Sequence, residues 1–136
     1  LTDELNKLIT SLGLSKKVSL LGMVAEGPRY FKAFDVFVLP SKREPFGMVL
    51  IEAMAANVPV VSSNSGGALE VVGNDEQIFP MGDVDKCADM LLKAYNWNTS
   101  ERQQITTNAS RRLEERFSQE AFKEIFWSHP FVKANY

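Results

Sequence analysis

Apolar residues recur at Leu5, Leu8, Ile9 and Leu12, the spacing of one helix face, and Gly13 supplies the stop. Thr2 ahead of Asp3 and Glu4 reads as the N-cap, with acids where the helix dipole favours them. The period then changes. Val18 to Leu21 is a short apolar run ending at Gly22 and predicts a strand. The loop Met23 to Gly27 leads into a short helix with Pro28 in its first turn and Tyr30, Phe31 and Phe34 as packing residues. Val36 to Leu39 is apolar without alternation, as in a parallel strand covered on both faces. Gly47 to Ala56 is apolar nearly all round, which predicts a buried helix. Asn57, just after it, tolerates the left-handed conformation that ends helices. Val58 to Ser62 reads as the next strand, with Pro59 near its start, where a missing N–H does least harm.

The second half keeps this rhythm. A Gly66-Gly67 turn precedes a brief helix, Ala68 to Val72, and Ile78-Phe79 makes a short edge strand. Asp83 caps a helix through Ala94, Thr99 or Ser100 caps a more polar one to Phe117, and Ser118 caps a last one to Trp127. Strands alternating with helices predict an α/β fold, a Rossmann-like parallel sheet with flanking helices. With 136 residues and no internal linker, positions 1–136 read as one domain.

Composition narrows the function classes. A net charge of −2 and the lack of a basic stripe interleaved with aromatics exclude a nucleic-acid binder. No apolar run reaches the length of a membrane span. The one cysteine, Cys87, rules out an internal disulfide and points to a reducing, cytoplasmic compartment. Its neighbours Ala88, Leu91 and Leu92 mark it as a small core residue. The chain starts at Leu1 rather than Met, which suggests a piece of a longer protein.

The candidate chemistry lies between residues 37 and 70. Glu52 sits among Val49, Leu50, Ile51, Ala53, Met54, Ala55 and Ala56, where a carboxylate is costly unless something hydrogen-bonds it. Ligand hydroxyls are the obvious partners, and a surface glutamate is the plain alternative. Glu44 lies in the loop after a strand's carboxyl end, where open α/β sheets bind ligands. Its alternative is a solvated acid beside Lys42 and Arg43. Phe46, Gly47, Met48 and Val49 open the buried helix, whose free N–H groups and positive dipole end suit phosphate. Gly66 and Gly67 either support the pocket floor or merely start the next helix. Glu70 reads as a helix-surface or capping acid, and His129, the only histidine, as a surface residue.

Glu44, seven intervening residues, then Glu52, with Leu-Pro-Ser before and Pro-Val-Val and Gly-Gly after, resembles the donor-site signature of retaining GT-B glycosyltransferases. More narrowly it is similar to family 4, the glycosyl transferases group 1, from about Val18 to Asp83. The resemblance implies that the chain is part of the C-terminal, donor-binding domain of that fold, lacking its first strands. It implies transfer of a sugar from a nucleotide-diphosphate sugar to a hydroxyl acceptor with retention, by front-face displacement, with neither metal nor cofactor. Glu52 would hold the ribose hydroxyls and Glu44 the transferred sugar. The N–H groups of Gly47, Met48 and Val49, next to Phe46, would take the diphosphate. The loop carrying Met23 and Val24 would lie against the base.

Asn57 stands where the family usually has glycine, and Met81 where a small residue or proline precedes Gly-Asp. An upstream glycine loop with an Arg and a Lys, and the N-terminal acceptor domain, are not in this sequence. Taken alone the chain is expected to be inactive. Members of the family often build cell-envelope polysaccharide or glycolipid at the cytoplasmic membrane face. Two other classes fit the same residues: a nucleotide-sugar-binding module without catalysis, and a GT-B-fold synthase or phosphorylase. In a sheet ordered 3-2-1-4-5-6, Val18–Leu21 would be the third strand and Val36–Leu39 the fourth, leaving both with open edges. That predicts strand pairing between two copies, in preference to direct closure of the two strands. Phe122, Ile125, Phe126, Trp127 and Phe131 are expected to form an exposed apolar patch that faces the acceptor domain.

Overall fold

A computed structural model describes residues 1–130. Its order is α1 (Thr2–Ser11), a 3₁₀ helix (Gly27–Ala33), β1 (Phe37–Leu39), α2 (Met48–Ala55), β2 (Val60–Ser63) and α3 (Ala68–Val72). A 3₁₀ turn (Asp75–Gln77), β3 (Ile78–Phe79), α4 (Val84–Tyr95), α5 (Thr99–Phe117) and α6 (Gln119–Ser128) complete it. The three strands form one parallel sheet ordered β1-β2-β3. Phe37, Val38 and Leu39 lie opposite Val60, Val61 and Ser62, and Ser62 and Ser63 lie opposite Ile78 and Phe79.

The strands are apolar on both faces because each face has its own cover. Alternate residues divide between two clusters, as the period of a strand requires. Phe37, Leu39, Val60 and Ile78 join Leu50, Ala53 and Met54 of α2, Val71 and Val72 of α3, and Ala109 and Leu113 of α5. Val38, Val61 and Phe79 join Cys87 and Met90 of α4 and Trp97 beyond it. Helix α2 is the crossover that two adjacent parallel strands need. Its buried face is Leu50, Ala53 and Met54, and Val49 and Ile51 beside it are partly buried, which explains most of its apolar sequence.

Local signals hold where side chains meet backbone nearby. Asn57 adopts φ 60° after α2, and the Asp83 carboxylate caps α4 by accepting from the Lys86 N–H at 2.8 Å. Ser118 caps α6 through the Ala121 N–H. Two caps lie elsewhere than expected. α1 starts with Leu1 at the N-cap position and no side-chain cap, so Thr2 is already helical. α5 is capped by Asn98 rather than Thr99 or Ser100, in a reciprocal box with Glu101 at 2.8 and 3.0 Å.

The larger correction is at Val18–Leu21, which forms no strand and is exposed to solvent. A strand needs a partner for its N–H and C=O groups, and among the described residues β1 pairs only with β2. In the order 3-2-1-4-5-6 two strand positions separate this segment from β1, and it does not close up to fill them. The strand-paired dimer expected of it therefore loses the strand it was built on. The apolar face of α1 is likewise uncovered, with Leu8 half exposed. On α6, Phe122, Ile125, Phe126 and Trp127 are exposed as expected, and Phe131 lies outside the described residues.

Candidate functional site

The loop from β1 to α2 leaves the sheet at its carboxyl end and carries Glu44. Its course is set by the turn that follows β2. The Ser63 hydroxyl donates to the Ser41 carbonyl at 2.6 Å, and the Gly67 N–H donates to the Glu44 carbonyl at 3.1 Å. A Cβ on Gly66 would overlap the Glu44 carbonyl, and one on Gly67 would lie 2.6 Å from the Phe46 carbonyl oxygen. Only two glycines let these backbones touch. The Gly-Gly pair is thus more than a helix start: it clamps the loop that presents Glu44.

The Glu44 side chain is half buried and has no hydrogen bond or ion pair among the described residues, although Lys42 and Arg43 precede it. Gly47 then turns the chain into α2 with φ 100°, a conformation that L side chains rarely adopt. Its Cα region lies beside Glu44, and an added Cβ would come 3.8 Å from the Glu44 Cγ and 3.1 Å from the Leu50 Cδ1. The Met48 and Val49 N–H groups find no acceptor among the described residues, whereas those of Leu50 and Ile51 bond back to the Gly47 carbonyl. Two unfilled donors at the positive end of a helix can hold an anion.

Glu52 follows Met48 by four residues and Val49 by three, so the three share one face of α2. Val49 and Glu52 on that face line a cavity of about 530 Å³ together with Leu21, Val24, Tyr30 and Phe34. Glu52 is half buried there, with no hydrogen bond or ion pair among the described residues. A mostly apolar cavity with one unpartnered carboxylate suits a flat ring bearing hydroxyl donors.

The predicted residues do not all converge. Val24, Val49 and Glu52 line the cavity, and Gly47 and Glu44 lie at the start of the same helix. Met23 is fully exposed and is not part of the wall. Phe46 turns its ring to Phe117 of α5, edge-on with centroids 5.9 Å apart, so its side chain anchors the loop. Tyr30 and Phe34, expected only as packing residues, line the cavity. Their places one and three residues from Phe31 gave no sign of this, because the cavity forms only where their segment meets Val49 and Glu52 of α2.

Comparison with known proteins decides the family. The family model described as glycosyl transferases group 1 matches residues 1–112. The chain belongs to this family. An uncharacterized glycosyltransferase of Methanocaldococcus jannaschii is 36% identical over 124 residues, which are 85% of this chain and 30% of that protein. The capsular polysaccharide biosynthesis glycosyltransferase CapM of Staphylococcus aureus is 37% identical over 112 residues, 81% of this chain and 28% of the relative. The chain therefore spans less than a third of the length of these relatives.

Solved structures agree on the fold. The C-terminal domain of a glycosyl transferase group 1 family protein from Francisella tularensis superposes with TM-score 0.76 at 25% identity. That likeness covers 87% of this chain and 63% of that one. Anabaena HepE, solved in complex with UDP-glucose, gives 0.78 at 31% identity, over 91% of this chain and 36% of HepE. The parallel sheet and its flanking helices are those of a GT-B C-terminal domain.

Proposed function

We propose that this chain is the donor-binding part of a glycosyltransferase that moves a sugar from a nucleotide-diphosphate sugar to a hydroxyl acceptor with retention. The observation that carries the reading is Glu52. It is half buried without a partner, on the wall of a largely apolar cavity, one helical turn from the unfilled N–H groups of α2. Its carboxylate accepts hydrogen bonds from the ribose hydroxyls, and the base lies against Val24 and the aromatic wall. The diphosphate lies at the Gly47–Val49 N–H groups, so the charge that develops on the leaving group meets the helix dipole. Glu44 faces the transferred sugar and supports its oxocarbenium-like transition state. The acceptor hydroxyl enters on the same face as the leaving diphosphate, which takes its proton. Because the helix terminus meets the leaving charge, the reading calls for neither metal nor cofactor.

The UDP-glucose complex of HepE supports a nucleotide-sugar donor. The names of relatives in capsule and lipopolysaccharide core synthesis support an envelope polysaccharide or glycolipid as product class. The acceptor domain belongs to the part of the relatives that this chain does not span, and the enzyme works in the cytoplasm at the membrane face. No described helix is long and apolar enough to cross a membrane. The test is a thermal-shift screen of the full-length protein against UDP-, GDP- and ADP-sugars. At 100 times its dissociation constant a true donor adds about 2.7 kcal/mol of stability. A screen in which no nucleotide sugar shifts the transition overturns the reading.

A further inference from the structure

The end of β2 and the turn after it hold two hydroxyls that the donor reading leaves without a task. Ser63 and Ser65 are both buried, and their oxygens lie 3.3 Å apart. A serine hydroxyl has one hydrogen to give. Ser63 gives it to the Ser41 carbonyl at 2.6 Å, so the Ser65 hydroxyl must be the donor in the pair. The result is a directed chain, Ser65 to Ser63 to the Ser41 backbone, running from the β2 turn into the loop that carries Glu44. Three residues further on, the Gly67 N–H holds the Glu44 carbonyl. The loop is therefore gripped on the N-terminal side of Glu44 by a side chain and at Glu44 itself by backbone.

From this geometry, and resting on the assignment of Glu44 to the transferred sugar, we infer that Ser63 is a positioning residue for Glu44, with Ser65 orienting its hydroxyl. The hydroxyl substitutes for a sheet bond just where the ladder between β1 and β2 has run out, since the register ends at Leu39 and Ser62. Without it, the loop between Leu39 and Glu44 loses its deepest anchor. The Glu44 carboxylate can then drift by a fraction of an ångström from the sugar. Nothing in this grip reaches the cavity wall around Glu52, so nucleoside binding there does not depend on it.

The experiment is initial-rate kinetics on the full-length enzyme, with the nucleotide sugar that gives the largest thermal shift as donor. Ser63→Ala should lower kcat about tenfold and change the donor KM less than twofold, with the melting transition still well above assay temperature. Ser63→Cys keeps a weak donor of similar size and should recover part of the loss. Ser65→Ala should show a smaller fall of the same kind, and it carries the test if Ser63→Ala does not fold. An unchanged kcat in both alanine variants overturns the inference, as does a loss that appears wholly in KM. Glu44→Gln is run beside them. If it leaves kcat unchanged, the role of Glu44 fails and this inference fails with it. If it lowers kcat while the serine variants do not, only the inference fails.

Discussion

Gly66 has no room for a side chain, and its φ of 51° is one that L side chains rarely adopt. Gly66→Ala must push the Glu44 backbone aside, since the obstacle is a carbonyl and not a flexible chain end. We expect a loss of about 1–3 kcal/mol in denaturant unfolding, together with impaired turnover, whereas alanine at the open turn glycine Gly82 should leave turnover unchanged. Asn57 makes the opposite case. It holds φ 60° without being glycine, and its Oδ1 accepts from the Ser110 hydroxyl at 3.3 Å. Asn57→Ala should cost about 1 kcal/mol, while Asn57→Gly should stay within about 0.5 kcal/mol of the parent. Equal losses from both would show that the Ser110 bond, and not the backbone, is what asparagine supplies. At Cys87, burial pushes the thiol pKa up. A thiol held protonated is a poor nucleophile, so alkylation at neutral pH should be slower in the folded protein than in the unfolded chain.

Among the elements, those announced by a residue touching its own neighbourhood were legible in advance. The Asp83 and Ser118 caps depend on contacts three residues apart. The Asn98 cap was missed: Asn98 and Glu101 have the spacing of a capping box, but Thr99 and Ser100 beside it are equally ordinary caps. Val18–Leu21 was not legible. Its apolar run is that of a strand, yet a strand exists only against a partner, and the local pattern says nothing of where that partner is. The site divides in the same way. Glu52 stood out because a carboxylate in an apolar stretch demands a reason, and Glu44 because it follows a strand's carboxyl end, whereas the Ser63 and Gly66-Gly67 clamp joins segments more than 20 residues apart. α6 adds a prediction of its own. Phe122 and Phe126 stack, and Trp127 meets Phe126 edge-on, on a face open to solvent. This chain expressed by itself should bind a hydrophobic dye, and Phe126→Ser with Trp127→Ser should reduce that binding while leaving the melting temperature unchanged within about 2 °C. Dye binding that survives the double substitution would place the apolar surface elsewhere, with α1 the next place to look.

On the scale of the molecule, the sheet order β1-β2-β3 separates two tasks. One face is covered by α2, α3 and α5, of which α2 carries the helix terminus and part of the cavity wall, while α4 closes the far face. The carboxyl ends of β1 and β2 bring the Glu44 loop and its clamp together, and α2 joins that loop to Glu52. A helix of eight residues thus connects the end that meets the sugar and phosphates to the wall that meets the nucleoside. The central claim is this division between Glu52 and Glu44. It is tested most directly by measuring nucleotide affinity calorimetrically and turnover kinetically in the full-length enzyme, for the parent, Glu52→Gln and Glu44→Gln. Glu52→Gln should weaken nucleotide binding by about 1–3 kcal/mol, the cost of a lost charged hydrogen bond. Glu44→Gln should bind the nucleotide nearly as the parent does and lose turnover. The reverse pattern would exchange the two roles, and two variants that match the parent in both measurements would contradict the account.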